Sequence, residues 1–324
     1  MRSSDRTLER LMCNLRLPAI AAPMFLVSGP AMVVAACKAG IIGAFPTPNC
    51  RTSAALEDWL TEIEAGLAAC PEAACYAANL VVHRSNPRLA DDLAAVVRHR
   101  TPLVITALGS PRTVVDTVHG YGGLVFADVN SVGFARKAVA SGVDGLVLVA
   151  SGAGGHTGQI SAFAFVEEVR RFWSGPIVLG GAISTGRGIR AAELLGADFA
   201  YLGTALLPCA ESMAAPAYKQ LVVDAGAEDI VASNGITGVT ANWLRASLLK
   251  AGFDPDNMPR DKQPDFANAH SDVKAWKDVW SAGQGVGAVT EIAPMAEIVD
   301  RLVAEYEASL RTRPFHSRRC ANGA

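Results

Sequence analysis

The sequence predicts an α/β fold: a (β/α)8 TIM barrel with a smaller, mainly helical insertion after strand 8. Three observations lead to this prediction. The chain has 324 residues, of which 50% are hydrophobic and 19% charged, so it can bury a large core. Up to about residue 210, short apolar runs alternate with longer segments of helical period. Beyond Pro208 this regularity stops, and Gly, Pro and Asp interrupt the chain.

The predicted strands are eight short runs in which apolar residues follow one another without alternation. They cover residues 19–24, 41–45, 75–82, 103–107, 124–129, 145–150, 177–179 and 199–202. Strands with this composition are typical of parallel sheets that helices cover on both faces. The runs therefore predict one parallel sheet rather than hairpins.

The predicted helices fall between these strands, at residues 30–39, 55–69, 89–98, 112–119, 131–140, 162–172 and 187–195. Pro30 and Gly40, for example, stand where the first of them should begin and end. Eight strand–helix units favour a closed barrel. A doubly wound open sheet is the alternative, and it is disfavoured because Gly-rich and polar segments follow many strands instead of clustering after the first.

The C-terminal part of the chain supplies a candidate for the eighth helix. Residues 294–310 place apolar side chains at i, i+3, i+4 and i+7 spacing. The predicted organisation is therefore a barrel made of residues 1–210 and 290–324, with residues 211–289 as a small substrate or lid domain over its open end.

Charge, hydropathy and cysteine content exclude several classes of protein. The 29 basic and 31 acidic residues give a net charge of -2, which provides no basic field for nucleic acid. The longest apolar runs fall short of the ~20 residues of a membrane span, and residues 1–10 lack the apolar segment of a secretory signal. A cytoplasmic protein is expected. The seven cysteines show no C-x-x-C pair and are interpreted as reduced thiols, without a metal site.

The candidate catalytic residue is His156, in the segment Ser151-Gly-Ala-Gly-Gly-His-Thr-Gly158 after the sixth strand. Four glycines let the backbone approach a ligand closely, and barrels build their sites from loops at this end of the strands. An imidazole there can exchange a proton with a substrate or donate a hydrogen bond to a forming anion. The structural alternative is a histidine that only caps the loop.

Two further segments predict an anion site. Gly180-Gly-Ala-Ile-Ser-Thr-Gly-Arg-Gly188 follows strand seven and opens a helix, and Tyr201-Leu-Gly-Thr204 follows strand eight. Barrels often bind a phosphate between these two loops, on backbone amides. The structural alternative is an ordinary turn in which Ser184 or Thr185 caps the helix. It would explain one of the two segments, but it explains the presence of both less well. Since Walker, zinc and G-x-S-x-G motifs are missing from the sequence, a phosphate-anchored organic cofactor is the interpretation that remains.

With these motifs the sequence resembles the FMN-dependent nitronate monooxygenases and the related flavin enoyl-ACP reductases and NADH:quinone reductases. The resemblance covers most of the chain and is carried by ordered matches. These are Ala21-Ala-Pro-Met24, Asn79 in Ala-Asn-Leu-Val-Val, the His156 loop, Gly180-Gly-Ala-Ile, Leu195-Gly-Ala-Asp-Phe-Ala-Tyr-Leu-Gly-Thr204 with Glu211-Ser212, and Trp280-Ser-Ala-Gly-Gln-Gly-Val-Gly287. The loop reads Gly-Ala-Gly-Gly-His where many members have Glu-Ala-Gly-Gly-His.

The resemblance implies FMN as cofactor and His156 as the active-site histidine. The implied cofactor-binding residues are Ala22, Pro23, Met24, Asn79, Gly154, Gly155, Gly180, Gly181, Ala182, Gly203, Thr204 and Gln284. The phosphate would lie on the amides around residues 181, 182, 203 and 204. Ala22, Pro23, Met24 and Asn79 would lie near the isoalloxazine, with Gly154, Gly155 and Gln284 closing over the cofactor.

The implied activity is oxidation of an alkyl nitronate, such as propionate 3-nitronate, to a carbonyl compound and nitrite with O2. One alternative is a reductase of the same fold that passes hydride from NAD(P)H to a quinone or an enoyl thioester. A second is a flavin-binding module without turnover. The expected partners are a small-molecule substrate and O2, with no nucleic acid and no membrane; whether two copies pair is left open.

Overall fold

The structure, a computed structural model, describes residues 9–259 and 276–312. Eight parallel strands form one sheet: β1 (Ala19–Ala21), β2 (Gly43–Pro46), β3 (Tyr76–Val81), β4 (Leu103–Ala107), β5 (Leu124–Val129), β6 (Gly145–Val149), β8 (Ile177–Gly180) and β9 (Phe199–Leu202). A two-residue strand, β7 (Gly155–His156), lies outside this sheet. The predicted (β/α)8 architecture is confirmed, and the open-sheet alternative is wrong.

The sheet closes on itself between its first two strands. β1 pairs in parallel with β9, and a parallel bridge joins Ile20 to Ile42 immediately before β2. The Ala21 amide donates to the Ile42 carbonyl at 2.8 Å, and the Ile42 amide donates to the Ala19 carbonyl at 3.1 Å. All the strands therefore present their carboxyl ends at one rim of a closed barrel.

The barrel interior is a packed apolar core. Its fully buried members come from alternating strand positions and include Ile20, Ile42, Ile105, Phe126, Val147, Val178 and Phe199. Side chains of this size fill an eight-stranded barrel, so it contains no pore. A ligand site therefore has to lie above this core, at the carboxyl rim.

The outer layer consists of helices that bury their apolar faces against the strands. They are α1 (Pro30–Ala39), α2 (Ser53–Ala68), α3 (Leu89–Arg98), α4 (Arg112–Gly120), α5 (Val132–Ala140), α6 (Ala162–Arg170) and α7 (Gly186–Leu195). Side chains of Thr52, Ser131, Ser161 and Thr185 accept hydrogen bonds at four of their N-termini. Each predicted helix of the barrel is present within two residues of its expected bounds.

The eighth helix, α10 (Met295–Leu310), packs against α7 and α1. Its Glu305 Oε2 accepts a hydrogen bond of 2.7 Å from the Gly186 amide at the N-terminus of α7. Gly186 is required at this contact, since a Cβ there would lie 2.1 Å from the Leu302 carbonyl oxygen. A segment more than a hundred residues beyond α7 thus completes the ring of helices.

The insertion between β9 and α10 contains α8 (Pro216–Asp224), β10 (Ile230–Ser233), β11 (Ala241–Leu244) and α9 (Arg245–Lys250). The sequence analysis did not predict its two strands. They form a small antiparallel sheet in which β11 also pairs with β7, with Ala241 opposite His156 and Asn242 opposite Gly155. The insertion is therefore joined to the His156 loop through backbone hydrogen bonds.

Candidate active site

One large cavity lies at the carboxyl rim and encloses about 1270 Å³. Loops after seven of the eight barrel strands, together with the insertion, contribute to its lining. Of the predicted site residues, it is lined by His156, Ala22, Pro23, Met24, Asn79, Gly154, Gly155, Gly180, Gly181, Ala182, Gly203 and Thr204. The structure thus brings together residues that are up to 182 positions apart in the sequence.

Gln284 is the predicted site residue that does not line the cavity. Gln284 is exposed, and its backbone amide donates to the Gly152 carbonyl at 2.9 Å. Its Oε1 lies 3.0 Å from the position that a Cβ on Gly152 would occupy. Gln284 therefore covers the His156 loop from outside.

The loops after β8 and β9 form an anion cradle. In the described part of the chain, the backbone amides of Gly181, Ala182, Gly203 and Thr204 donate to no protein acceptor. The Ser184 Oγ atom in the same lining is buried and has no hydrogen-bond partner. Gly181 has φ +139°, a conformation that a side chain would strain. Free donors on two neighbouring loops that line one cavity are suited to a phosphate.

The segment 283–285 packs against this cradle. Thr204 Oγ1 accepts a hydrogen bond of 2.8 Å from the Gly283 amide. A Cβ on Gly154 would lie 2.8 Å from that Gly283 nitrogen, and one on Gly285 would lie 2.6 Å from Ser184 Oγ. Four loops that are distant in sequence therefore pack against one another at one place. Glycine at positions 154 and 285 allows this close approach, because a Cβ there would overlap the neighbouring loop.

The loop after β1 is held in place by Asn49. Its Oδ1 accepts from the Leu26 amide at 2.8 Å, while its Nδ2 donates to the carbonyls of Met24 at 3.2 Å and Ser28 at 2.8 Å. The Ser28 hydroxyl accepts from the Met24 amide at 3.0 Å. Residues 22–24 thus form a fixed apolar wall. The sequence analysis did not assign this role to Asn49.

His156 faces the cavity from β7. Its Nε2 atom is buried without a hydrogen-bond partner, and its ring contacts Trp276 edge-on, with centroids 5.4 Å apart at 83°. Burial lowers the pKa of the imidazole to about 4, so the ring is neutral at physiological pH. A neutral ring beside a cavity, with one nitrogen unpartnered, can accept a proton or donate a hydrogen bond, depending on its tautomer.

Two hydrogen bonds between the insertion and the loop that carries His156 hold this loop in place. Asn242 Nδ2 donates to the Ala153 carbonyl at 2.8 Å, and the Thr157 amide donates to the Thr240 carbonyl at 3.0 Å. Asn242 is buried, so both partners would lose a hydrogen bond without access to water. Asn242 is a positioning residue that sequence reasoning missed.

The cavity floor carries a polar cluster of which the sequence analysis assigned only Asn79 to the site. Asp128 near the end of β5, Asn79 of β3 and Tyr201 of β9 all line the cavity. Asn79 Nδ2 donates to the Ile105 carbonyl at 3.1 Å and to Asp128 Oδ2 at 3.5 Å. The signal was present in the sequence, since Asp128 is the one charged residue in the apolar run Leu-Val-Phe-Ala-Asp-Val.

An aromatic pair forms part of the opposite wall. The rings of Tyr218 and Trp280 stack with centroids 5.1 Å apart and planes 10° from parallel. Tyr218 OH donates to the Ser281 carbonyl at 2.5 Å, and Lys250 Nζ lies 5.3 Å from the centroid of the Trp280 ring. A flat apolar surface of this kind favours a planar ligand.

The cysteines take no part in the cavity. The six described ones are free thiols, and Cys320 lies outside the described residues. Cys50 is buried, and burial raises its pKa to about 12. A thiol with this pKa is not a nucleophile at neutral pH. Within residues 9–259 and 276–312 no cluster of His, Cys, Asp and Glu could hold a metal ion.

The residues present fit FMN. The free amides of the cradle and the unpartnered Ser184 hydroxyl suit a phosphate, and the apolar wall of residues 22–24 suits one face of a flat ring. The cavity volume exceeds the usual ~300–1,000 Å³ of small-molecule sites, so it has room for a second ligand.

No helix in the described part of the chain is long and apolar enough to cross a bilayer.

Known nitronate monooxygenases are similar to this chain. The profile of the nitronate monooxygenase family matches residues 55–305. A nitronate monooxygenase of Paraburkholderia phytofirmans is 25% identical over 346 residues, which cover 90% of this chain and 93% of that protein. Alignments with two other bacterial relatives cover 43% and 52% of their lengths, so the chain spans about half the length of those proteins.

Solved structures show the same architecture. A nitroalkane oxidase of Streptomyces ansochromogenes superposes with a TM-score of 0.77 at 22% identity, over 93% of this chain and 99% of that one. FabK of Thermotoga maritima gives the same TM-score and identity over 98% of both chains. At this identity the likeness concerns the fold alone.

Proposed function

Because this chain belongs to the nitronate monooxygenase family, we propose that it is an FMN-dependent oxidoreductase that converts alkyl nitronates to a carbonyl compound and nitrite with O2. Propionate 3-nitronate is a representative substrate. One observation carries the proposal: a neutral imidazole with an unpartnered Nε2 faces the same cavity as a cradle of free backbone amides.

Within this proposal, the two ends of the cofactor are held by different parts of the chain. The amides of residues 181, 182, 203 and 204 bind the phosphate, together with the Ser184 hydroxyl. Ala22, Pro23 and Met24 support one face of the ring system. FMN, when bound, supplies the redox chemistry; the protein contributes binding, orientation and exclusion of water.

His156 acts on the substrate at its Nε2 atom. With a proton on this nitrogen it donates a hydrogen bond to a nitronate oxygen, and without one it accepts the α-proton of a neutral nitroalkane. Since its pKa is about 4, the ring introduces no positive charge at neutral pH. The described part of the insertion, residues 211–259 and 276–289, forms the substrate wall and fixes the His156 loop through Asn242.

The test is the visible spectrum of the purified protein and its response to propionate 3-nitronate without oxygen. We expect a yellow protein whose flavin absorption is bleached by this compound, and nitrite on admission of air. His156→Ala should retain its flavin and lose turnover, which also separates a catalyst from a flavin-binding module. A yellow protein that nitronates fail to bleach would contradict the substrate assignment, and a colourless one that takes up no FMN would contradict the cofactor.

A reductase is the second candidate, and the cavity itself favours it. The volume of about 1270 Å³ and the stacked Tyr218–Trp280 surface leave room for a planar nicotinamide beside the flavin. Rapid anaerobic bleaching by NADH or NADPH, followed by reoxidation with a quinone or an enoyl thioester, would support this candidate over the oxidation of nitronates.

A further inference from the structure

The polar cluster on the cavity floor has no assigned role in the proposed reaction. Asp128 lies near the end of β5, directly above the packed barrel core, where Phe126 of the same strand is fully buried. Its carboxyl group faces the cavity between Asn79 and Tyr201. A buried carboxyl group in this setting requires a partner or loses its charge.

The unsatisfied polar atoms of the protein concentrate at this cavity. In the described part of the chain, seven buried side-chain atoms lack a hydrogen-bond partner, and four of these belong to cavity residues: Asp128 Oδ1, Tyr201 OH, His156 Nε2 and Ser184 Oγ. Buried polar atoms in folded proteins nearly always have partners. Four in one cavity therefore indicate a ligand with polar atoms at several points of its outline.

We propose that Asp128 binds the ligand of this cavity as a neutral carboxylic acid, donating a hydrogen bond through Oδ1 while Asn79 holds Oδ2. The identification of that ligand as the flavin rests on the proposed function. Tyr201, whose hydroxyl also lacks a partner, is a second donor on the same floor. Asn79 is a positioning residue, because its amide donates to the oxygen that acts as the carbonyl of the acid.

The groups around Asp128 offer no compensating positive charge. Asn79 faces it from β3 and Tyr201 from β9, and both are neutral. The neighbouring Thr106 hydroxyl of β4 donates instead to the Phe126 carbonyl. His156, Arg112, Lys137 and Lys277 line the same cavity, yet none of them forms an ion pair with Asp128 in the described part of the chain.

Burial alone raises the pKa of Asp128, to about 7. The carboxyl group is therefore neutral below pH 7 and ionised above it. Ionisation removes the donor and places a negative charge in the cavity. If the neutral form alone binds flavin, the neutral fraction falls about tenfold between pH 6 and pH 8, and the affinity falls with it.

The experiment measures flavin binding by fluorescence quenching from pH 6 to pH 8, after removal of any bound flavin and its reconstitution. Riboflavin is the main probe, since it lacks the phosphate whose own titration near pH 6 affects FMN. Wild type is compared with Asp128→Asn, which cannot ionise, and with Glu167→Gln, which removes a carboxylate from an exposed position on α6. Infrared difference spectra of wild type minus Asp128→Asn provide a readout that is independent of the flavin.

We expect the affinity of wild type and Glu167→Gln for riboflavin to fall about tenfold over this range, and that of Asp128→Asn to change less than twofold. The difference spectrum should show the carbonyl band of a protonated acid at pH 6, which disappears by pH 8. A carboxylate at pH 6, or an equal pH dependence in all three proteins, would overturn the proposal. If Asp128→Asn fails to fold, the proposal is still overturned when the affinity of wild type for riboflavin does not change between pH 6 and pH 8. If wild type binds neither riboflavin nor FMN, the proposed function and the identification of the ligand as a flavin are both refuted. The infrared band would still show whether Asp128 is protonated at pH 6.

Discussion

Asn242 of the insertion donates a hydrogen bond of 2.8 Å to the carbonyl of Ala153, three residues before His156. The donor is buried, and its strand pairs with the strand that contains the histidine. The loop that carries His156 is therefore held by a residue 89 positions from Ala153 along the chain, in a part that lies outside the barrel.

Asn242→Ala should reduce turnover without loss of the cofactor. Loss of a buried hydrogen bond costs about 1–3 kcal/mol, and here that cost falls on the backbone next to His156. We expect kcat to decrease about tenfold with flavin content unchanged, measured by steady-state nitrite release and the visible spectrum. Gln220→Ala is the matched control, since Gln220 is an exposed amide that bonds to Asp224 far from the loop. Equal activity of the two variants would refute the positioning role.

The stability of the protein should depend on His156 in acid. Its folded pKa, about 4, lies below the unfolded value near 6.5, so the stabilisation is present above pH 6.5 and is lost as the pH falls toward 4. Relative to His156→Gln, wild type should lose about 2 kcal/mol of unfolding free energy between pH 7.5 and pH 5. Urea unfolding at both pH values measures this difference. If the difference in unfolding free energy between wild type and His156→Gln is the same at both pH values, folding does not lower the pKa of His156.

The anion cradle can be tested by charge at Ser184. Ser184→Asp places a carboxylate where the phosphate is expected, whereas Ser184→Asn introduces a side chain of similar size without charge. We expect Ser184→Asp to be purified without flavin and Ser184→Asn to keep a measurable fraction, quantified by the ratio of visible to ultraviolet absorbance. Equal flavin content in both variants would mean that the phosphate lies elsewhere.

Glu305 should stabilise the barrel from outside the site. Its carboxylate accepts from the Gly186 amide at the positive end of α7, an arrangement typically worth about 0.5–2 kcal/mol. Glu305→Ala should lower the free energy of unfolding by that amount and leave the flavin spectrum unchanged. Glu307→Ala, an exposed position on the same helix, is the control. A loss of flavin in Glu305→Ala would indicate that the cap also shapes the cradle.

The barrel could be predicted from the sequence because its signals are local. The bounds predicted for residues 103–107, 124–129 and 199–202 coincide with β4, β5 and β9, since each apolar run is closed by turn residues on both sides. The helix at 294–310 was found from its period, and α10 starts one residue later. Its position between α7 and α1 was expected from barrel topology.

The insertion could not be predicted in the same way. β11 is stabilised by pairing with β10 and with residues 155–156, and the second pairing leaves no trace in the pattern of residues 241–244. Asp128 was overlooked for another reason. A strand with both faces buried gives no alternation that would show which face a single carboxylate occupies, so its place on the cavity floor emerges only from the barrel geometry.

The position of α10 bears on the order in which the barrel is completed during synthesis. On the ribosome, α7 emerges about a hundred residues before α10, so the Gly186 amide at its N-terminus lacks the Glu305 carboxylate for several seconds of translation. Contacts between segments so distant in the chain form slowly, because loop closure has to precede them. The ring of helices should therefore close only after α10 has emerged, and nascent chains halted before residue 295 should be cleaved by protease faster than chains that include α10.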